Sequence, residues 1–209
     1  MNSIDRIVLS VDVREIKLLD ILKQKLQGNQ KIELQEKALS VGDIVIESKG
    51  SVSLVIERKS ISDLASSICD GRYSEQSYRL NNIPIHNHNI IYIIEGDIRK
   101  FKENTRIKKK VIYSTLCSLN AYKGFSVLRT FDLEETAELL IQFSEKIFKN
   151  STKEKLHYSL SPDFNKNDTK ESNIESNIES NIESNIEVPP LIENTSELTM
   201  LDVMKQTKK

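Results

Sequence analysis

Glu57 and Lys59 sit two residues apart at the end of an apolar run, Leu54-Val55-Ile56, and that spacing is the first chemical signal in the chain. Such a run reads as the buried body of a β-strand, and residues i and i+2 of a strand project from one face. A carboxylate and an ammonium are then held side by side. A hard divalent cation takes carboxylate oxygen, and a water beside it is favoured as hydroxide by a nearby positive charge. A strand-end Glu/Lys pair is also common on solvated surfaces, so its weight comes from its company. Asp43 stands behind Gly42 one hairpin earlier, and Asp12 and Glu15 follow the first apolar strand. Four acids and one lysine thus lie near strand ends that a small sheet can gather.

Positioning these groups falls to alternating strands and helices. Residues 6 to 13 form a nearly continuous apolar strand ending at Asp12, and Leu19, Leu22 and Leu26 recur at helical spacing before Gly28. A strand over 31 to 39 leads through Ser40-Val41-Gly42-Asp43 into a hairpin. Its arms, 44 to 47 and 52 to 59, carry Asp43 on one side and Glu57 with Lys59 on the other. Ser60 with Asp63 three residues on predicts a helix N-terminus, and that helix runs to Cys69 and stalls at Asp70-Gly71. The next helix sets Arg72, Gln76 and Arg79 on one face, a polar stripe suited either to gripping phosphates or to solvation with Glu75 paired to Arg79. Residues 89 to 95 are the most apolar strand, a helix carries Ile112, Thr115, Leu116 and Leu119 inward, 125 to 128 form a last strand, and Asp132 with Glu135 opens a final helix to Phe148. The alternation predicts an α/β layer fold.

A chain of 209 residues with 38% hydrophobic content suits one domain over 1–150 and a tail. Residues 1–150 carry 23 basic and 20 acidic side chains, against 7 and 11 in residues 151–209, so a polyanionic partner is compatible with the first part without being announced by bulk charge. The basic excess concentrates in 99 to 110, where Lys108, Lys109 and Lys110 close a run read as a phosphate track. Cys69 and Cys117 lack metal-ligand spacing and predict reduced, structural thiols in a nuclear or cytoplasmic setting. No segment reads as a secretion signal or bilayer span. Four copies of Glu-Ser-Asn-Ile within 171 to 187 mark 151–193 as a low-complexity, disordered tether, and 194–209 as a short helical tail.

The ordered motifs resemble the XPF family of structure-specific DNA endonucleases, and within it the MUS-type crossover junction branch. Carrying the resemblance are Val11-Asp12-Val13-Arg14-Glu15, Val41-Gly42-Asp43 and Ile56-Glu57-Arg58-Lys59 with Asp63. To these add Ser67-Ile68-Cys69-Asp70-Gly71-Arg72-Tyr73, Glu75-Gln76 and Arg79-Leu80, and Gly124-Phe125 before Val127-Leu128-Arg129-Thr130. The resemblance spans about residues 5 to 148 and implies a restriction-endonuclease-like fold, a central mixed sheet flanked by helices. It implies Asp12, Glu15, Asp43 and Glu57 as ligands of Mg2+, with Mn2+ as a substitute, or as their immediate support. Lys59 would polarise the attacking water and Asp63 would brace the site. Arg14, Arg58, Arg72, Gln76, Arg79 and Lys108 to Lys110 would contact DNA, Arg58 through its backbone or position.

The implied substrate is branched double-stranded DNA, cut near flaps, forks or nicked junctions, and the implied partner is a second XPF-type subunit in a homodimer or heterodimer. Two departures stand out: no Gly-hydrophobic-Gly hairpin follows the domain, and Ser77 occupies a position where the MUS branch often has lysine, removing one phosphate contact. The alternative, a non-catalytic DNA-binding or scaffold subunit, is opposed by the retention of Asp12, Asp43, Glu57 and Lys59. His86-Asn87-His88 has no partner carboxylate nearby in sequence and reads as a surface loop rather than a metal site.

Overall fold

The computed structural model describes residues 6–103 and 105–151. The expected tether and helical tail lie outside these residues. A six-stranded mixed sheet runs in the order β2-β1-β3-β4-β5-β6, built from β1 (Ile7–Asp12), β2 (Ile32–Lys37), β3 (Ile44–Ser48), β4 (Ser51–Ser60), β5 (Ile90–Glu95) and β6 (Ser126–Thr130). β1 pairs parallel with β2 and antiparallel with β3, β3 pairs antiparallel with β4, and β4, β5 and β6 are mutually parallel. Five α-helices accompany it: α1 (Ile16–Lys25), α2 (Ile61–Cys69), α3 (Arg72–Asn81), α4 (Lys109–Cys117), which continues as a π-helical turn over Ser118–Tyr122, and α5 (Leu133–Ser151).

Alternation along the strands divides the core in two. Leu9, Ile46, Ile56 and Ile93 face Leu18, Leu22, Leu140 and Ile141 of α1 and α5. Val55, Tyr92 and Ile94 face the opposite way, against Leu64, Leu80, Ile112 and Leu119 of α2, α3, α4 and the π turn. With both faces covered, the central strands read as unbroken apolar runs. Ile90, Ile91, Tyr92, Ile93 and Ile94 are all at most 3% exposed.

The parallel strands end on one edge of the sheet, and the chain returns to that edge to begin β3. Asp12, Asp43 and Glu57 therefore belong to a single border of the fold. Two expectations change. Cys69 and Cys117 are free and exposed rather than structural, because each is the last residue of its helix and faces away from the sheet. Ser77 is fully buried and its hydroxyl donates to Ser74 O, so this position faces the interior and supplies no phosphate contact to lose.

Candidate active site

The hairpin register, which the sequence leaves open, places three acids in one row. Ile44 pairs with Ile56 and Val11 pairs with Ile44, so the next step brings Asp12, Asp43 and Glu57 abreast on adjacent strands. Backbone bonds extend the ladder to this row: Asp43 N–H donates to Ile56 O at 2.9 Å and Asp12 N–H to Asp43 O at 2.8 Å. Neighbouring side chains in such a row lie about 5 Å apart. Gly42 makes the turn into β3 possible. Its φ is +74°, and a Cβ there would sit 2.8 Å from Val55 Cγ1 and 3.2 Å from Ile56 O; any side chain would push Asp43 off its strand.

Each acid has a distinct environment. Asp12 is 1% exposed. Its Oδ1 accepts from Arg14 Nε at 2.6 Å and Arg14 N–H at 2.9 Å, and its Oδ2 from Leu39 N–H at 2.9 Å. The Arg14 guanidinium outweighs burial and holds the Asp12 carboxyl down at about 2. Asp43 accepts from Arg58 N–H at Oδ2, 2.9 Å. Burial nonetheless pushes its carboxyl above the ordinary range, against the pull of that bond and of Lys59. Glu57, 4% exposed, is raised by burial and then by the Asp43 charge, although Lys59 Nζ donates to its Oε1 at 3.0 Å. Asp43 Oδ1 and Glu57 Oε2 accept no hydrogen bond from the described residues.

The opposite face of the same strand end is tied together by an arginine. Arg58 alternates with Glu57 and Lys59, so its guanidinium emerges on the side of α1 and α5. There Nη1 donates to Glu15 Oε2 at 2.9 Å, and Nε and Nη2 donate to the two oxygens of Glu95 at 3.0 Å each. Thr136 Oγ1 donates to Glu95 Oε2 at 3.0 Å and lies 2.8 Å from Thr130 Oγ1, tying the first turn of α5 to the end of β6. Arg58 fixes the strand through its guanidinium, and its backbone N–H fixes Asp43, a part played through backbone and position. Glu15, expected among the ligands, commits an oxygen to Arg58, and burial raises its carboxyl.

Asp63 takes the helix-start position that its spacing from Ser60 predicts. It is exposed, Ser60 Oγ donates to its Oδ2 at 2.6 Å, and its own N–H donates back to Ser60 Oγ at 3.1 Å. This reciprocal cap starts α2, which follows directly from the strand end bearing Lys59. The polar stripe of α3 also divides. Arg72 is exposed and pairs with Asp70 at 2.7 Å. Gln76 turns inward to Lys59, and Arg79 reaches Ser40 O beside the Gly42 turn. Arg14, Asp43, Glu57, Gln76 and Arg79 line one cleft.

Lys108 and Lys110 are exposed at the start of α4, whereas Lys109 Nζ donates to Arg99 O at 2.9 Å. His86 and His88 are exposed around a short 3-10 turn in which His86 Nδ1 accepts from His88 N–H at 3.1 Å. That is the loop role the sequence predicts. Glu95 is a further residue of this strand end, the anchor of Arg58. Its signal was an acid closing the most apolar strand. Thr136 carried no signal at all.

Among the described residues, no three acidic, histidine or cysteine side chains already converge on a common point. The donor chemistry nonetheless suits a hard cation, because buried carboxylates with raised affinities for protons face one another with open oxygens.

The ERCC4 domain family model matches residues 11–143. A Dictyostelium discoideum protein described as a probable crossover junction endonuclease mus81 is 30% identical over 166 residues, covering 67% of this chain and 18% of its own length. The Rattus norvegicus structure-specific endonuclease subunit MUS81 is 28% identical, covering 70% of this chain and 29% of its own length. This chain therefore spans less than a third of either relative. Among solved structures, XPF from Aeropyrum pernix in complex with DNA superposes with a TM-score of 0.54 at 28% identity, covering 69% of this chain and 66% of that one. No helix of the described residues is long and apolar enough to cross a membrane.

Proposed function

The chain belongs to the ERCC4 domain family, and from that premise we propose that it is a divalent-metal-dependent endonuclease that hydrolyses DNA phosphodiesters near branch points. The observation that carries this reading is the single row of Asp12, Asp43 and Glu57 across three strands, with the Lys59 ammonium 3.0 Å from Glu57. The relatives' names, crossover junction and structure-specific endonucleases, support the substrate class.

Asp43 and Glu57 would hold Mg2+, or Mn2+ in its place, through the oxygens they leave open. Asp12 would support them and join as Arg14 turns towards a phosphate. When bound, such an ion neutralises developing phosphate charge and makes water more acidic. Lys59 places its positive charge where the attacking water stands and favours the hydroxide form. Arg14 and Arg79, which both line the cleft, orient the phosphodiester. Lys108 and Lys110 extend the electrostatic track along the DNA backbone. A second XPF-type subunit, identical or different, completes the grip on the branch, in keeping with the rat relative's description as a subunit.

Cleavage of end-labelled flap, fork, nicked-junction and plain duplex DNA by the 209-residue chain, with and without Mg2+, tests the proposal. Metal-dependent cutting of branched substrates alone is expected. Equal cutting of plain duplex would remove branch recognition, and no cutting by a folded chain, alone or with a second family subunit, would favour the scaffold alternative.

A further inference from the structure

Lys59 is 7% exposed, and its ammonium carries three N–H donors and no acceptor. Nζ donates to Glu57 Oε1 at 3.0 Å and to Gln76 Oε1 at 2.8 Å. Because lysine only donates, the amide orientation of Gln76 is settled by its partner. The second acceptor comes from α3, a different element from the strand that bears Lys59.

We infer that Gln76 is a positioning residue for Lys59, its side-chain carbonyl holding the ammonium behind the cleft-lining Glu57 and Gln76 independently of the bond to Glu57. The inference rests on the nuclease reading and deepens it. Glu57 has two claims on its carboxylate, Lys59 and the cation it would help to hold, so its bond to Lys59 is in competition once metal arrives. Gln76 has no such second claim.

The neutrality of the new acceptor matters as much as its position. A carboxylate on α3 would cancel the charge of Lys59, whereas an amide oxygen anchors the ammonium and leaves its field directed into the cleft. The lysine stem is long and rich in rotamers, so a second anchor removes that freedom before substrate binds. α3 is itself held in rotation: Ser77 and Leu80, flanking Gln76 on the helix, are 0% and 1% exposed. Gln76 is therefore turned towards β4 rather than outwards with Arg72, and its sequence-level assignment to DNA contact gives way to one on Lys59.

The test uses the full chain as wild type, Gln76→Leu, Gln76→Glu and the shorter Gln76→Asn. Two quantities are measured: the 1H–15N ammonium signal of Lys59 without metal or DNA, and kcat and KM on a nicked junction at saturating Mg2+. In the wild type the Lys59 signal should be sharp and slowly exchanging. Gln76→Leu and Gln76→Asn should lose it and lower kcat on the order of 10²-fold with KM for DNA unchanged. Gln76→Glu should keep the signal yet share the loss of kcat, because its charge offsets that of Lys59. A raised KM with unchanged kcat would make Gln76 a DNA contact and overturn the inference, as would a Lys59 signal indifferent to all three substitutions. An inactive wild type whose Lys59 signal still depends on Gln76 would overturn the nuclease reading and leave the positioning role standing.

Discussion

The two faces of the β4 strand end carry similar residues under opposite conditions. On one face Arg58 meets Glu15 and Glu95 with three hydrogen bonds, and Thr136 donates a second bond to Glu95 Oε2. On the other, Asp43 and Glu57 face each other, both carboxyls raised by burial, with one oxygen each left open. Satisfied charge on the first face makes a rigid brace. Under the proposed function, unsatisfied charge on the second is what draws a cation and a substrate. A single strand serves both because successive residues point to opposite sides.

The largest expected effect comes from removing the strained charges. Asp43→Asn, Glu57→Gln or Lys59→Ala should lower cleavage on the order of 10³-fold. Asp43→Asn should also melt higher than wild type without metal, since it removes a buried charge while keeping an oxygen for Arg58 N–H. A lower melting temperature would mean that Asp43 is structural and that the two faces do not differ as described.

The brace should respond in the reverse sense. Glu95→Ala leaves Arg58, 15% exposed in its side chain, without its two-bond partner and should cost about 3 kcal/mol in chemical denaturation. Activity should fall through displacement of Asp43, and metal affinity should survive better than in Asp43→Asn.

The pH dependence separates the acids of the row from one another. The raised carboxyls of Asp43 and Glu57 bind protons more tightly in the folded chain, so metal-free stability should fall as pH rises above the ordinary carboxylate range. Asp12, held at about 2, has the opposite sign: its contribution is present above 3.8 and is lost as pH falls towards 2. Mg2+ should therefore raise the melting temperature more at pH 7.5 than at pH 5, and this difference should shrink in Asp43→Asn. The smallest effect belongs to Tyr92, fully buried beside Glu57 in the ladder, stacked on Phe125 at 5.7 Å, with no partner for its hydroxyl among the described residues. Tyr92→Phe should stabilise the fold by about 1 kcal/mol in urea unfolding; a loss of activity instead would assign the hydroxyl to the charged face.

Much of this was legible in the sequence because apolar periodicity fixes strands and helices, and every strand and helix expected within the domain is present. The acids at Asp12, Asp43 and Glu57 were readable because each ends or begins an apolar run. Their alignment in one row was not, since register depends on the turn at Gly42 and on pairing between distant segments. The Ser60–Asp63 cap was legible from its spacing, whereas the side-chain partners of Arg58 and Gln76 were not. Strand alternation sends Arg58 to the far face, Asp63 stands at the third residue of α2 within reach of its cap, and the buried Ser77 and Leu80 turn Gln76 inward. Partners so distant in sequence, such as Thr136 for Glu95, leave no local pattern.

Titration of Mn2+ into the metal-free chain, followed by electron paramagnetic resonance, addresses the contrast between the faces most directly. Binding to wild type that is lost in Asp43→Asn and Glu57→Gln, yet retained in Glu15→Gln, is the predicted result. Binding indifferent to Asp43 and Glu57, or abolished by Glu15→Gln alone, would place the cation on the wrong face of β4 and contradict the account.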